Sequence, residues 1–178
     1  MPAVAQDAGP RPDFQTLYRT KAPMVWRTMR RLGVREAEVE DAAQEVFVVV
    51  HRRLPGFEGR ASLDTWLYGI CLRVASDWRR KGYVKRETTA EQAPERSHSG
   101  ETAARQIALR QARARLEVAL NELDEDKRAV FVLFELEQVP MQEVADAVGV
   151  PLQTAYARLY AARRHIEAFV ARERQVSA

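Results

Sequence analysis

Residues 141–159 read MQEVADAVGVPLQTAYARL. Val144, Val148, Val150, Ala155 and Leu159 hold the apolar positions of two short helices, and Ala145 is small where those helices must approach closely. Gly149 stands between them, where the chain needs a left-handed backbone that glycine adopts at no steric cost. Pro151 suits the first turn of the second helix. The stretch reads as a helix-turn-helix, although a plain helical hairpin carries the same pattern. In a groove-reading helix-turn-helix, the N-terminal end of the second helix meets base edges. Here that end offers Gln153, Thr154, Tyr156, Ala157 and Arg158, and Arg163, Arg164 and His165 come next at positions suited to phosphates.

Working outward, an Ala/Arg-rich helix spans about 101–122, and Asp124 caps a helix carrying Val130, Leu133 and Phe134. The last helix runs from Pro151 past Ala155, Leu159 and Ile166 to about Arg172. Upstream, residues 83–104 lose the apolar period and contain Pro94 and Gly100, so they read as a flexible linker. Three helices precede it. Phe14, Leu17, Tyr18, Val25, Met29 and Leu32 fall at helical spacing up to Gly33, with Pro23 expected to kink or break the helix. Val39, Ala42, Ala43, Val46, Phe47, Val50 and Leu54 form a second stripe, closed by Pro55-Gly56. Ser62 caps a third helix, with Leu63, Trp66, Leu67, Ile70 and Val74 inward, ending near Gly82. No segment alternates as strands do. The expected fold is all-α: two small helical domains, 13–82 and 105–174, joined by the linker and flanked by tails at 1–12 and 175–178.

Composition narrows the function. The 178 residues, 46% apolar and 30% charged, suit one ordinary or two small globular domains and exclude wholesale disorder. Apolar runs stay far below the ~20 residues a spanning helix needs. The first residues lack the basic start and apolar stretch of a secretory signal, so a cytoplasmic protein is expected. The single cysteine, Cys71, makes neither an internal disulfide nor a thiolate metal site and reads as a small core residue. His51, His98 and His165 are scattered, and no glycine-rich phosphate loop, nucleophile elbow or metal spacing occurs. No enzymatic activity, metal or cofactor is expected.

The net charge of +3 is mild, but its distribution is not. Glu36, Glu38, Glu40, Asp41 and Glu45 form an acidic block, followed by a basic one of Arg73, Arg79, Arg80, Lys81, Lys85 and Arg86. Residues 117–126 are acidic again and 158–174 basic again. Such alternation suits a chain that meets a protein through acidic faces and a polyanion through basic ones; solvated helix faces give the same pattern. The segment from Phe57 to Arg80, FEGRASLDTWLYGICLRVASDWRR, sets Trp66, Tyr68 and Trp78 beside Arg73, Arg79 and Arg80. Aromatics beside arginines supply the stacking and phosphate contacts that single-stranded DNA requires, whereas Trp66, on the apolar stripe, is expected in the core.

Together with Asp41-Ala-Ala-Gln44-Glu45-Val46-Phe47 before it and Val144 to Leu159 after it, this segment resembles the extracytoplasmic-function group of RNA polymerase sigma factors. The resemblance covers about Phe14 to Phe169. It implies two small helical domains: region two, which melts the minus-ten element, and region four, which reads the minus-thirty-five element through the helix-turn-helix. It implies contact of Asp41, Gln44, Glu45 and Phe47 with the clamp helices of the polymerase's largest subunit. It also implies minus-ten contacts by Gly59, Arg60, Ala61, Ser62, Tyr68, Arg73, Trp78, Arg79 and Arg80, with the Gly59–Ser62 loop holding a flipped base. Minus-thirty-five contacts fall to Gln153, Thr154, Tyr156, Ala157, Arg158, Arg163 and Arg164. Leu120, Leu123, Val130 and Phe134 match the surface for the flap of the second-largest subunit. Partners implied are core RNA polymerase, promoter DNA and a cognate anti-sigma factor. Gln153 and Ala155 depart from the group's usual Gly and Val, so no promoter sequence is carried over. A conventional helix-turn-helix regulator is the alternative; it accounts for residues 141–165 but not for the two upstream strings.

Overall fold

The computed structural model describes residues 13–86 and 103–176, and all of its regular elements are helical. Helices α1 (Phe14–Arg31), α2 (Val39–Arg53) and α3 (Leu63–Arg86) form the N-terminal unit. Helices α4 (Ala103–Glu122), α5 (Glu125–Phe131), α6 (Met141–Val148) and α7 (Leu152–Val176) form the C-terminal one. Single 3-10 turns at Glu36–Glu38 and Leu54–Gly56 link the first three helices.

Local chemistry sets the helix starts. Asp13 Oδ1 accepts the Thr16 N–H at 2.9 Å, Ser62 Oγ the Thr65 N–H at 3.0 Å, and Asp124 Oδ1 the Lys127 N–H at 2.8 Å. Each satisfies a donor that the first helical turn leaves without a partner. Apolar stripes then dictate the packing. Val25, Met29, Val46, Val50, Leu67 and Cys71 are buried where α1, α2 and α3 meet. Leu120, Val130, Leu133, Val144 and Leu159 are buried among α4 to α7. The two sets join in one continuous core, because α3 packs on α6 and α1 on α4.

Several elements differ from the sequence expectation. Helix α1 runs unbroken through Pro23, which is exposed, so only one backbone bond is lost on the solvent side. Helix α3 passes Gly82 and continues to Arg86, into the stretch read as linker; residues 87–102 of that stretch lie outside the described residues, as do the tail at 1–12 and residues 177–178. Glycine inside a helix lowers its stability without ending it. After α5 the chain does not stay α-helical: Val132–Leu136 forms a π-helical segment, closed by a Glu137 N–H to Val132 carbonyl bond of 3.0 Å and succeeded by Gln138 at φ 57°.

The turn of the helix-turn-helix is as the sequence requires. Gly149 has φ 71°, and its N–H and that of Val150 bond back to the carbonyls of Asp146 and Ala145. No atom lies within 4 Å of where a Cβ would stand, so substitution meets only the backbone penalty. Gly149→Ala is expected to cost ~1–2 kcal/mol and Gly149→Asn less, read from urea unfolding curves at constant slope.

Candidate nucleic-acid interface

Helix α7 presents its first turns outward. Gln153, Thr154, Tyr156 and Ala157 are exposed, while Ala155 and Leu159 on the opposite face are buried against the core. Arg158 is half-buried, and its Nη2 lies 2.6 Å from Asp126 Oδ2. Arg163 is held at 2.5 Å by Glu135 and lies over the rings of Phe134 and Tyr160. Arg164 is exposed. The Tyr156 and Tyr160 rings stack with centroids 6.3 Å apart on the same outer surface. Four exposed polar or small side chains on one helix end, flanked by three arginines, form a surface able to enter a major groove.

In the N-terminal unit, the loop before α3 is positioned from both sides. Gly59 has φ 70°, Phe57 packs on Trp66 at 5.1 Å, and Ser62 closes the loop as the α3 cap. Trp66 is thus largely a packing residue. Arg60 extends into solvent, 86% exposed, with Glu58 2.6 Å away. Arg73 is exposed further along α3, at the edge of the loop's cleft. Trp78 donates its indole N–H to Glu45 Oε2 at 2.7 Å and carries Lys81 over its ring. Arg79 faces Glu125 at 3.8 Å, and Arg80 pairs with Asp77.

Tyr68 stands apart from these. It is buried, and its hydroxyl donates to Glu137 Oε2 at 2.9 Å across the boundary between the two units. Burial and the adjacent Glu137 charge push its hydroxyl far above the ordinary tyrosine range. In this conformation Tyr68 is part of the seam, not of an exposed stacking surface.

Of the residues matched to polymerase contact, Asp41 and Gln44 are exposed on α2. Glu45 is half-buried under Trp78, and Phe47 is buried against Tyr18 with ring centroids 4.6 Å apart. Asp41 and Gln44 are therefore the groups open to a partner, and Glu45 and Phe47 fix the helix that displays them. Leu120, Leu123 and Val130 are core residues; of the four apolar residues matched to the flap, only Phe134 reaches the surface.

Two family descriptions match the chain: "Sigma-70 region 2" over residues 17–83 and "Sigma-70, region 4" over 113–166. SigX of Bacillus subtilis, an extracytoplasmic-function RNA polymerase sigma factor, is 30% identical over 139 residues, covering 76% of this chain and 72% of SigX. The chain belongs to this group of the sigma-70 family. SigE of Mycolicibacterium smegmatis, of the same description, is 27% identical over 170 residues; the match covers 93% of this chain but only 65% of that longer protein. The fold is similar to that of the sigma factor RpoE of Bartonella quintana, solved with the anti-sigma factor NepR, at a TM-score of 0.68 and 20% identity over 89% of this chain and 97% of that one.

In this sigma factor the residues that sequence reasoning passed over lie at the seam. Glu137 has a side chain only 3% exposed, although it sits in a polar-looking stretch, FELEQ. Its carboxylate accepts from Arg31 Nη1 at 2.6 Å, Arg27 Nη2 at 3.2 Å and the Tyr68 hydroxyl. Burial alone pushes this carboxyl upward, but the bonds from Arg27, Tyr68 and Arg31 outweigh it and hold the group below its ordinary range. Arg128, 3% exposed, donates to the carbonyls of Leu32, Asn121 and Leu123 instead of to a carboxylate; burial and the nearby Arg79 lower it to about 10. A periodicity reading offers no signal for either: the donors to Glu137 come from α1 and α3, and Arg128 reaches across to the Leu32 carbonyl besides its local partners Asn121 and Leu123.

The sign of the Glu137 shift sets a pH dependence. A carboxyl lowered in the folded state contributes stability that is complete above its unfolded value and is lost as pH falls through the folded one. Melting temperatures measured from pH 7 into the acid range are expected to fall below the usual carboxylate range, and Glu137→Gln to make the acid limb shallower than in the natural chain.

Proposed function

We propose that the chain binds core RNA polymerase in the cytoplasm and directs promoter-specific initiation, acting as a subunit and not as a catalyst. Helices α1–α3, with the loop Gly59–Ser62, serve the minus-ten element; α6 and α7 serve the minus-thirty-five element. What supports this reading is the pairing, in one chain, of an outward-facing groove-reading helix end with a glycine-containing loop set beside Arg60 and Arg73. A duplex-reading helix alone suits any regulator. The added loop suits a protein that also handles an unpaired strand, where a base is held by a pocket and an edge-reading group. An anti-sigma factor is the proposed inhibitor, in line with the NepR partner of the solved relative. The deciding experiment is run-off transcription with purified core polymerase on a promoter library; template-specific transcripts that depend on the chain are expected, and none would overturn the reading.

Asp41 and Gln44 carry the proposed polymerase contact. Charge reversal by Asp41→Lys is expected to weaken core binding in a pull-down while leaving helical circular dichroism unchanged, because the side chain is exposed and outside the hydrophobic core. Unchanged affinity would remove α2 from the interface.

On α7, Arg158 is assigned to bases and Arg164 to phosphates. Arg158→Ala is expected to relax preference at one position of the upstream element, worth ~1–3 kcal/mol of discrimination. Arg164→Ala is expected to weaken every promoter alike and lower the salt slope by about one. Identical behaviour across a promoter panel would refute the assignment. Asp126→Asn, which frees Arg158 from its ion pair, is expected to tighten duplex binding.

A further inference from the structure

Where the end of α1 meets α3, α4 and α5, four arginines line one cavity. It holds about 320 Å³, and its wall includes Arg30, Gly33, Arg35, Arg79, Asn121 and Arg128. Arg128 is buried, Arg35 and Arg79 are half-buried, and Arg30 and Asn121 are exposed, so positive charge lies deep and the mouth is wet. Gly33, at φ 86°, lets a guanidinium reach that depth: a Cβ there would overlap Arg128 Nη1 and stand 3.3 Å from Asn121 Oδ1.

The four arginines are not equally served. Arg30 is held by two carboxylates, Glu36 and Glu117, each 2.8 Å away, and both also line the cavity. Arg35 Nε donates to Glu38 at 2.9 Å. Arg79 meets Glu125 only at 3.8 Å, and that carboxylate is exposed. Arg128, 3% exposed, donates to three carbonyls and to no carboxylate, and its Nε–H has no partner among the described residues. A buried cation is normally paired or neutralised. Arginine keeps its proton at neutral pH, so the remaining relief is an anion brought from outside. The like charge of Arg79 beside it adds to the same demand.

We propose that this cavity binds a phosphate group, as the dianion of free phosphate or of a small phosphomonoester, with Arg79 and Arg128 as its principal donors and Arg35 beside them. Charge and shape select the anion. Two guanidiniums lack a close carboxylate, and a phosphomonoester carries about −1.5 to −2 at pH 7. A carboxylate brings a single charge, as does the phosphodiester of a nucleic-acid backbone. A guanidinium fork meets two phosphate oxygens at once, which leaves the third for Arg35 or water. The volume of about 320 Å³ lies at the lower end of small-ligand cavities and admits a phosphate with a short body. At the mouth, Glu36, Glu117 and Asn121 offer acceptors to hydroxyl groups of such a body. The site is separate from the Gly59–Ser62 loop and from the exposed end of α7, although Arg79 is shared with the surface assigned to the minus-ten element.

The test titrates the full chain by isothermal calorimetry, at constant ionic strength in chloride, with inorganic phosphate, ribose 5-phosphate and dimethyl phosphate. Melting temperature is read at the highest concentration of each. Inorganic phosphate or ribose 5-phosphate is expected to bind and to raise the melting temperature, and the tighter of the two identifies free phosphate or an ester as the preferred form. Dimethyl phosphate, with the single charge of a nucleic-acid backbone, is expected to bind ~10-fold more weakly or less. Arg79→Gln removes one charge-assisted donor and is expected to weaken phosphate binding ~10-fold. Arg128→Lys keeps the charge but loses the fork, and a similar loss is expected. Arg128 also bonds three carbonyls, so Arg79→Gln, on the half-buried wall, decides the matter if Arg128→Lys fails to fold. Arg52→Gln, exposed on α2 and outside the cavity wall, is expected to leave binding unchanged. No binding of either phosphate or ribose 5-phosphate, or affinities untouched in a folded Arg79→Gln chain, overturns the site. An equal loss in Arg52→Gln marks diffuse surface binding and overturns it as well. Dimethyl phosphate binding as tightly as ribose 5-phosphate overturns the dianion assignment.

Discussion

A carboxylate that is 3% exposed must be solvated by protein, and for Glu137 the solvating groups come from the other half of the chain. Arg27 and Arg31 lie one turn apart on α1, and Tyr68 lies on α3, so the three donors converge only when α1 and α3 are already packed together. Removing one partner of such a buried pair typically costs ~3–5 kcal/mol, whereas a well-packed apolar replacement costs little. The arrangement therefore does less for bulk stability than for geometry. It ties the segment just before α6 to α1 and α3.

The position of Glu137 depends in turn on an irregularity of the backbone. A regular α-helix through 125–136 advances 100° per residue; the π-helical segment Val132–Leu136 inserts a wider turn and rotates the residues beyond it. Val132 and Leu133 stay in the core, Phe134 comes out beneath Arg163, and Glu137 turns toward α1. Gln138 then takes a left-handed backbone, and the Val139 N–H bonds back to the Leu133 carbonyl at 2.9 Å, ending the helix. One departure from ideal helix thus serves both faces of the C-terminal unit.

Much of the fold is legible in the sequence, and the reasons are local. The stripes of α1, α2 and α6, the caps at Ser62 and Asp124, and the left-handed Gly149 all obey rules that look no further than four residues along the chain. Sequence reading fails where the partner is remote. Acidic and basic blocks read as faces for other molecules or for water, yet Glu45 meets Trp78, Arg79 meets Glu125, Arg158 meets Asp126, and His165 and Arg172 both meet Glu122. Tyr68 and Phe47 owe their assignment to contact surfaces to their place in a motif, and both are buried because helical phase puts them inward. Helix α3 outruns its expected end because Gly82 is a weak stop where Arg35 and Glu38 stand beside it.

The same pairing bears on how a chain of net charge only +3 would treat DNA. Arg60, Arg80, Arg158 and Arg163 each have a carboxylate within ion-pair distance, and all but Arg163 have partners that are well exposed. Exposed pairs of this kind are worth ~0–1 kcal/mol, so a phosphate displaces the carboxylate at little cost where geometry is good. Where geometry is poor, the arginine keeps its partner and the DNA gains nothing. Non-specific binding depends on many loosely placed phosphate contacts, and it is this contribution that pre-paired arginines suppress most. Sequence-specific contact, in which base edges and phosphates are met together, loses far less. In the proposed reading, the carboxylates beside the arginines assigned to DNA would therefore sharpen discrimination without a single base contact of their own.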